Sequence, residues 1–315
     1  MKVFITGITG MAGSEFARVY EEQGVEVFGV ARSSAASRMN AIQDKRVIRC
    51  DITDREALEK VIAKLKPDLI IHMAAQAFNG MSWDCEYLTH ETNYIGTLNV
   101  LKCALKNGSS AKVLLACSSA EYGDFDPADC PLKEEMPLRP ITPYGVSKVG
   151  VEMLGYQYYT NFGLPVYFPR MFIHVGTGHP PATAIQNFAR QIALIAKGKA
   201  ESIMYVGNLT TARDFIDVRD GIAAMMLLID RGMPGQPVNI CTGKAYKIEE
   251  ILDMLIEIAG LRGKVKIVQD KSLLRASDEP LLLGNNQKIL NFGFIQKYTI
   301  YDTLCGVYQD WINRI

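Results

Sequence analysis

The chain lacks the features that mark several protein classes. Its 34 Lys and Arg residues balance 34 Asp and Glu residues, so no excess of positive charge indicates a nucleic acid as partner. No apolar run approaches the roughly 20 residues that a membrane span needs. Internal repeats and low-complexity tracts are also missing. These absences argue against a nucleic-acid-binding, membrane-spanning or repeat protein.

Histidine and cysteine are present, but not in the patterns of metal ligands. The 4 histidines lack helical ligand spacing, and the 7 cysteines stand at irregular positions without a CxxC pair. We therefore expect no metal site, and His72 is expected to be structural or to lie at the edge of a cofactor. An odd cysteine count suits a reducing compartment. Since Met1 and Lys2 lead straight into a strand-like run, we also expect a cytoplasmic protein.

Apolar runs alternate with helical patterns through the first 120 residues. The runs are KVFITG, VEVFGVAR, RVIRCDI, PDLIIHMAA and AKVLLACSS. Several are apolar throughout, as strands of a parallel sheet buried on both faces should be. We predict an α/β fold, a Rossmann-type doubly wound parallel sheet with a smaller C-terminal α/β substrate domain. The first domain would span residues 1–169, with 214–243 returning to it, and the second would span 170–213 and 244–315.

A glycine-rich segment, TGITGMAG, follows the first predicted strand and begins the first predicted helix. Glycines in that context let the backbone approach a pyrophosphate at the positive end of a helix. The spacing is G-x-x-G-x-x-G instead of the G-x-G-x-x-G of many dinucleotide sites. The loop residues expected to contact a cofactor are Gly7, Thr9, Gly10, Met11 and Gly13.

The end of the second strand indicates which cofactor is bound. Enzymes that prefer NAD carry an acidic residue there, whereas this strand ends in VARSS. Arg32, with Ser33, suits a ribose 2′-phosphate, although a solvated loop arginine is the alternative. We therefore expect NADP(H). Asp51 could accept from the adenine amino group or cap the helix that begins near Asp54. The further expected cofactor contacts are Ile52, Ala74, Ala75, Tyr144 and Lys148.

The segment YGVSK carries the expected chemistry. Tyr144 and Lys148 are four residues apart and therefore face the same side of a helix. A neighbouring ammonium and an oxidised nicotinamide both favour the phenolate of a tyrosine. Tyr144 could then exchange a proton with a sugar hydroxyl or ketone. Ser118, at the end of the fifth strand, would hydrogen-bond the same oxygen.

The order of these motifs resembles the extended short-chain dehydrogenase/reductase family, and within it the nucleotide-sugar dehydratases, epimerases and reductases. The matching segments are TGITGMAG, DITD, HMAAQ, NYIGTLNVL, SSAEYG, PYGVSK, PRMFIHVGTG and RDFIDVRD. The chain looks most similar to the branch of GDP-mannose 4,6-dehydratase and GDP-4-keto-6-deoxymannose reductase. That resemblance implies a nucleotide-sugar substrate, with Arg213 and Arg275 at its diphosphate and Asn187 in the substrate domain. A guanidinium fork suits a diphosphate.

Two positions depart from the family pattern. Relatives commonly have Asn where this chain has Ile173, and dehydratases have a glutamate where it has Ala120. Elimination needs that carboxylate as an acid/base group, and an alanine methyl cannot replace it. Glu121 is one residue away and would point away from the substrate if the strand continues, unless a bulge re-aims it, so it stays a catalytic candidate.

The missing carboxylate favours plain reduction of a C4 ketone. GDP-4-keto-6-deoxy-D-mannose is the leading substrate that the resemblance implies. A GDP-mannose 4,6-dehydratase in which Glu121 or another residue supplies the base is the alternative, and a 4-epimerase is a third. A redox-sensing binding protein of the same fold is disfavoured because Tyr144 and Lys148 are both present.

The helices predicted over 88–107 and 144–162 carry more apolar residues than one core-facing stripe would use. Examples are Met153, Leu154, Tyr156 and Tyr158. In the resembling family such helices pair across a two-fold axis, so the resemblance implies a homodimer. Burial within one chain is the alternative.

Overall fold

The computed structural model describes residues 1–32, 46–107, 111–274 and 279–315. The strands, in chain order, are β1 Lys2–Thr6, β2 Glu26–Ala31, β3 Val47–Arg49, β4 Leu69–His72, β5 Lys112–Leu115, β6 Cys117–Ser118, β7 Val166–Met171, β8 Ile173–Val175, β9 Ile203–Val206, β10 Ala212–Asp217, β11 Pro237–Ile240, β12 Ala245–Lys247, β13 Lys266–Gln269 and β14 Leu281–Leu282. The α-helices are α1 Met11–Glu22, α2 Arg55–Leu65, α3 Glu86–His90, α4 Gly96–Lys106, α5 Pro143–Phe162, α6 Ala184–Ala196, α7 Val218–Arg231, α8 Ile248–Ile258, α9 Gln287–Asn291 and α10 Ile300–Arg314.

The larger sheet is parallel and has the strand order of a doubly wound fold. Its order is β11-β7-β5-β4-β1-β2-β3, and β6 pairs with β7. The chain moves outward from β1 to β3, then crosses back to β4 on the other side of β1. That reversal creates the crevice in which such sheets bind ligands, at the carboxyl ends of the strands. The predicted Rossmann-type fold class is confirmed.

The alternation of side chains along β1 explains why helices cover both faces of this sheet. Val3 and Ile5 pack in one core cluster with residues of α1 and α7, whereas Phe4 packs in another with residues of α2, α4 and α5. All three side chains have no exposed surface. A strand that is apolar at every position fits only between two apolar layers.

The second half of the chain forms smaller sheets with a core of their own. In one sheet β10 lies between β12 and β14 and also pairs with β8, and in another β9 pairs with β13. A third apolar cluster joins residues of α6, α8 and α10. Within the predicted return segment 214–243, α7 packs on the large sheet and β11 joins it, while most of β10 belongs to the smaller sheet. The proposed domain division remains a prediction.

The region predicted as one helix over 88–107 has three parts. Between α3 and α4 the backbone is π-helical over Glu91–Ile95. There Asn93 faces the end of β4: its amide oxygen accepts from the main-chain N–H of Gln76 at 2.8 Å, and its amide nitrogen donates to Ser147 Oγ at 2.8 Å. These bonds satisfy buried polar groups on two other segments, which accounts for the local departure from α-helical geometry. Among the described residues no helix is long and apolar enough to cross a membrane.

Candidate active site

A cavity of about 1340 Å³ opens at the carboxyl ends of the parallel strands and extends to the smaller sheets. Residues that follow β1, β2, β3, β4 and β6 line one side of it, and residues of α6, β8 and β10 line another. A volume of this size is ample for two bound molecules of nucleotide size.

The glycine loop forms a tight cradle at the start of α1. Gly7 has a φ of +68°, and a Cβ there would lie 2.8 Å from the main-chain nitrogen of Ala74. A Cβ on Gly13 would lie 2.2 Å from the carbonyl oxygen of Gly7, which is a severe clash. Helix α1 begins after Gly10 with no side-chain cap and no acidic residue in its first turn. Its first N–H groups therefore face the cavity and can bind a phosphate group.

The other expected cofactor residues border the same cavity. Arg32 is exposed at the end of β2, and Asp51 and Ile52 follow β3. Asp51 accepts from the main-chain nitrogen and hydroxyl of Thr53, while Asp54 caps α2 by accepting from Ala57. The alternative that Asp51 caps this helix is therefore wrong. The expected residues that line the cavity are Gly7, Thr9, Gly10, Met11, Gly13, Arg32, Asp51, Ile52, Ala74, Ala75, Tyr144 and Lys148. Ser33 lies outside the described residues.

His72 is structural, and it fixes the loop on which Ala74 lies. Thr6 Oγ1 accepts from the Ala74 N–H at 3.2 Å, and it lies 2.7 Å from His72 Nδ1. His72 Nε2 lies 3.0 Å from Thr97 Oγ1, which in turn donates to the Asn93 carbonyl. Burial, with the nearby charge of Lys148, lowers the pKa of His72 to about 3. A neutral imidazole with both nitrogens bonded holds the end of β4 against α4.

Ser118, Tyr144 and Lys148 come together as the sequence predicted. Thr142 caps α5 by accepting from the Gly145 N–H at 3.0 Å, which places Tyr144 in the first turn and Lys148 one turn later. Lys148 Nζ donates to the Ala116 carbonyl at 2.7 Å and lies 5.7 Å from the centre of the Tyr144 ring. All three side chains line the cavity.

The electrostatics favour the phenol form of Tyr144 in the absence of ligand. Burial, the largest cause, raises the pKa of Tyr144 to about 12, while a hydrogen bond with Ser118 lowers it and ionisation of Glu121 or Cys117 would raise it. Burial also lowers the pKa of Lys148. Without ligand, Tyr144 is therefore a proton donor over the ordinary pH range. The expectation that an ammonium together with an oxidised nicotinamide favours the phenolate concerns the cofactor-bound site and stays a prediction.

Glu121 does not reach the cavity. After β6 the chain turns into a 3₁₀-helix over Ser119–Glu121, and the carboxylate folds back so that Oε1 accepts from the Ser118 N–H at 2.7 Å. Its side chain has no exposed surface, and the cavity lining does not include it. Glu121 therefore fails as a substrate acid/base group. Ala120 does line the cavity and presents only its methyl group.

The cavity lining contains two carboxylates among the described residues. They are Asp51 and Glu279. Asp51 follows β3, which is four strand positions from β5, the strand that leads into β6 and Ser118, and thus about 19 Å away across the sheet. Glu279 is bound by Arg213, whose guanidinium donates to the main-chain carbonyls of Ala212 and Glu279.

The expected substrate residues are placed in part. Asn187 on α6 and Arg213 on β10 line the cavity. Arg275 lies outside the described residues. Sequence reasoning missed Phe78 and His179, whose rings meet edge to face at 5.5 Å beside the cavity. Phe78 follows the quoted HMAAQ segment closely, but its proximity to His179 comes from the fold and has no sequence signal. Ile173, the departure noted in the sequence, also borders the cavity.

Comparisons with known proteins agree with this geometry. A family model described as GDP-mannose 4,6 dehydratase matches residues 4–305. The GDP-6-deoxy-D-mannose reductase of Pseudomonas aeruginosa is 31% identical over 268 residues, covering 85% of this chain and 87% of the relative. A GDP-mannose 4,6-dehydratase of Yersinia enterocolitica is 29% identical over 273 residues, covering 82% and 72%. The solved structure of RMD from Pseudomonas aeruginosa complexed with NADPH has a TM-score of 0.88 at 28% identity and covers 100% of this chain and 99% of that one.

Proposed function

The chain belongs to the GDP-mannose 4,6-dehydratase family, and we propose that within this family it is an NADP(H)-dependent reductase acting on the C4 ketone of GDP-4-keto-6-deoxy-D-mannose. The expected resemblance to the nucleotide-sugar branch is confirmed by the family match. The similar proteins include both a reductase and a dehydratase. The choice between these two activities therefore depends on the residues of the site.

The proposal rests mainly on the alanine side chain at position 120. An elimination needs a group that takes a proton from carbon and another that assists loss of a hydroxyl. Ala120 can do neither, and Glu121 lies outside the cavity. Of the described cavity carboxylates, Asp51 follows a distant strand of the sheet and Glu279 is paired with Arg213. Reduction of a ketone needs only a proton donor at the carbonyl oxygen beside a hydride source.

Tyr144 supplies that donor. Its phenol remains protonated at neutral pH because burial raises its pKa to about 12. Ser118 Oγ accepts from the Ala120 N–H at 3.1 Å, so its own hydroxyl hydrogen can be donated to a second oxygen, either that of Tyr144 or that of a bound ketone. Ser118 and Tyr144 can therefore both donate to a ketone oxygen as negative charge develops there. When bound, the reduced nicotinamide cofactor supplies the hydride.

The cradle of Gly7 and Gly13 fits a dinucleotide, and Arg32 supports the choice of NADP(H) over NAD(H). The similar Pseudomonas aeruginosa structure is complexed with NADPH. In this chain Arg32 is exposed at the cavity wall beyond β2, where it can bind a 2′-phosphate.

We expect Arg32→Asp to weaken NADPH binding about 30-fold while changing NADH binding less than about threefold, because only the 2′-phosphate loses a charged donor and gains a repulsive charge. Isothermal titration of both cofactors measures this. Arg55→Asp is the matched control, since Arg55 is exposed and does not line the cavity. Equal losses for NADPH and NADH in the Arg32 variant would contradict the assignment.

The smaller sheets and their helices are proposed to bind the nucleotide sugar. This proposal keeps the division into residues 1–169 with 214–243 and residues 170–213 with 244–315. Arg213 is supported as a diphosphate contact by its burial and its fixed guanidinium beside Glu279. Asn187 is a half-buried amide on α6 that lines the same cavity. Replacing Arg213 by Leu should raise KM for the nucleotide sugar and leave NADPH affinity unchanged, and the reverse pattern would refute the assignment.

A homodimer through α3 and α5 is also proposed. The π-helical segment and these two helices expose Tyr87, Tyr94, Ile95, Val146, Met153 and Tyr156. Leu154 and Tyr158 belong to the core instead, with 7% and 5% exposure, so the expectation that they extend the interface is wrong. An apolar surface of this kind is typical of a subunit contact.

Sedimentation velocity should show a dimer for the purified chain and a monomer for Met153→Asp, and a monomeric parent chain would refute the proposal.

The activity is tested by two anaerobic incubations of the purified protein. In one it receives GDP-mannose alone, and in the other GDP-4-keto-6-deoxy-D-mannose with NADPH, with NADPH absorbance and product mass followed in both. We expect NADPH consumption and a product with two more hydrogens only in the second. Loss of water from GDP-mannose without net NADPH use would overturn the proposal and make the protein a dehydratase.

A further inference from the structure

Behind the catalytic serine lies a closed cluster of ionisable groups. Glu121, Glu152 and Arg170 are 0%, 3% and 3% exposed. One carboxylate oxygen from each glutamate and the Cys117 sulfur lie within 4.8 Å of one another. The groups come from different elements: Cys117 from β6, Glu152 from α5 and Arg170 from β7, where Arg170 is the register partner of Cys117. The cluster is thus a built part of the fold behind Ser118, and of its members Cys117 also borders the cavity whereas Glu121, Glu152 and Arg170 do not.

The hydrogen bonds that the Arg170 guanidinium makes to the described residues all go to groups other than Glu121. Arg170 Nε and Nη2 donate to the two oxygens of Glu152 at 2.9 and 2.7 Å. Its Nη1 donates to the Glu134 carbonyl at 2.9 Å and to the Tyr122 hydroxyl at 3.2 Å. Glu121 Oε2 lies 3.7 Å from Arg170 Nε and makes no hydrogen bond to the described residues. One cation therefore faces two carboxyl groups and is bonded to only one.

The other oxygen of Glu121 holds the catalytic turn. Oε1 accepts from the Ser118 N–H at 2.7 Å, while Ser118 Oγ accepts from the Ala120 N–H at 3.1 Å. This reciprocal pair of bonds is a capping box, which fixes both the backbone and the hydroxyl of Ser118. Glu121 can therefore affect the reaction only through the position of Ser118.

We infer that Glu121 is a neutral carboxylic acid and a positioning residue for Ser118: Oε1 anchors the serine turn, and Oε2 carries a proton directed toward the carboxylate of Glu152. The cluster then contains one positive and one negative charge. An ionised Glu121 would add a second buried negative charge, on an oxygen that no cation among the described residues hydrogen-bonds, which is costly. The positioning role rests on the proposed reductase function, whereas the protonation state does not.

The charged and titratable surroundings agree with this assignment. Burial is the largest cause that raises the pKa of Glu121, and Glu152 raises it further, while Arg170 and the Ser118 N–H lower it. Lys148 and Tyr144 of α5 and Cys117 of β6 interact electrostatically with the same carboxyl group. A charge on Glu121 would raise the pKa of Tyr144. When Glu121 is neutral, it places no negative charge near the Tyr144 phenolate that forms when Tyr144 gives up its proton.

The protonation state can be tested without any substrate. In the unfolded chain the Glu121 carboxyl ionises around its ordinary pKa of 4.5, whereas in the native state it keeps its proton to higher pH. The native state then binds more protons than the unfolded state, so this group makes stability fall as pH rises above that value. Glu121→Gln cannot ionise and lacks this slope. We expect the Tm of E121Q relative to the parent chain to increase steadily from about pH 5 to about pH 8.

The matched control is Glu249→Gln, which removes an exposed carboxylate on α8. Its Tm difference should not grow in the same way. Infrared difference spectra at neutral pH should also show the carbonyl band of a protonated carboxyl group that is lost in E121Q and kept in E249Q. A flat Tm difference together with no such band would overturn the neutral state of Glu121.

The positioning role is tested by two substitutions of the same residue. Glu121→Leu deprives the buried Ser118 N–H of its acceptor, and we expect kcat to fall about 10- to 100-fold with KM for NADPH unchanged. Glu121→Gln keeps an acceptor at Oε1 and a donor toward Glu152, so it should restore most of that loss. A loss in E121Q as large as in E121L, with native stability, would overturn positioning by a neutral acid. If the substrate assignment is wrong, neither variant nor parent turns over, while the Tm and infrared results still stand.

Discussion

Replacing Tyr144 by Phe is expected to lower kcat for ketone reduction about a thousandfold, within the range that a positioned general acid contributes. The substitution removes only the hydroxyl that would donate to the carbonyl oxygen, while the ring still fills its place beside Lys148 and Ser118. NADPH affinity should change less than about threefold, since the glycine cradle and Arg32 remain. Stopped-flow measurement of NADPH oxidation under single-turnover conditions separates the chemical step from binding.

The pH dependence provides a second readout of Tyr144. Because burial raises the pKa of Tyr144 to about 12, the protonated form that reduction needs persists through neutral and mildly alkaline pH. Reduction should therefore be insensitive to the ionisation of Tyr144 there and decline only in strong alkali. The reverse oxidation needs the phenolate and should accelerate with rising pH. Tyr205→Phe, an exposed tyrosine on β9, serves as the matched control and should leave both profiles intact. If Tyr144→Phe kept a tenth or more of the parent kcat, its role as proton donor would be untenable.

We expect Arg170→Met to lower the free energy of unfolding more than any other substitution proposed for this chain. The substitution leaves the bidentate partner Glu152 as a buried carboxylate with no cation, a change that costs about 3–5 kcal/mol. It also removes the donor to the Glu134 carbonyl and the contact with the Tyr122 ring, whose centre lies 5.1 Å from the guanidinium carbon. Equilibrium urea unfolding measures the loss. It should be smaller at about pH 5 than at about pH 8, because protons can neutralise the stranded carboxyl group.

Two further variants make this prediction specific. Arg262→Met breaks an exposed pair with Glu257, which should cost no more than about 1 kcal/mol. Adding Glu152→Leu to Arg170→Met removes the stranded charge and should recover part of the stability. An Arg170→Met variant no less stable than Arg262→Met would show that the buried cluster contributes little to folding.

The position of Glu121 illustrates where sequence reasoning reached its limit. The alternation of a strand correctly indicated that Glu121 would point away from the substrate. The structural cause is different, however, because β6 ends at Ser118 and the following 3₁₀ turn places the Glu121 carboxylate at the Ser118 N–H. Alternation cannot predict where a strand of two residues ends. The presence of Glu152 and Arg170 beside Glu121 depends on α5 and β7, which are distant in sequence.

The surface of α5 shows the same limit in another form. The sequence of this helix is apolar on most sides, so its pattern could not separate core residues from interface residues. The structure buries Leu154 and Tyr158 against the sheet and exposes Met153 and Tyr156. Contacts with α4 and β7 set the rotation of α5 about its axis, and this rotation decides which side of the helix faces the core. A nearly uniform apolar pattern does not contain that information.

The sequence by itself determined the parallel sheet, the glycine cradle, the grouping of Ser118, Tyr144 and Lys148 at one site, and the absence of a carboxylate at position 120. Each of these is encoded locally, by apolar runs, by glycines after a strand, by a four-residue helical spacing or by one residue in a short motif. The tertiary structure alone decided that Glu121 is buried against Arg170 and Glu152, that Phe78 meets His179, and that burial keeps Tyr144 protonated. These properties arise from contacts between segments far apart in the chain and from the exclusion of water, and a local pattern records neither.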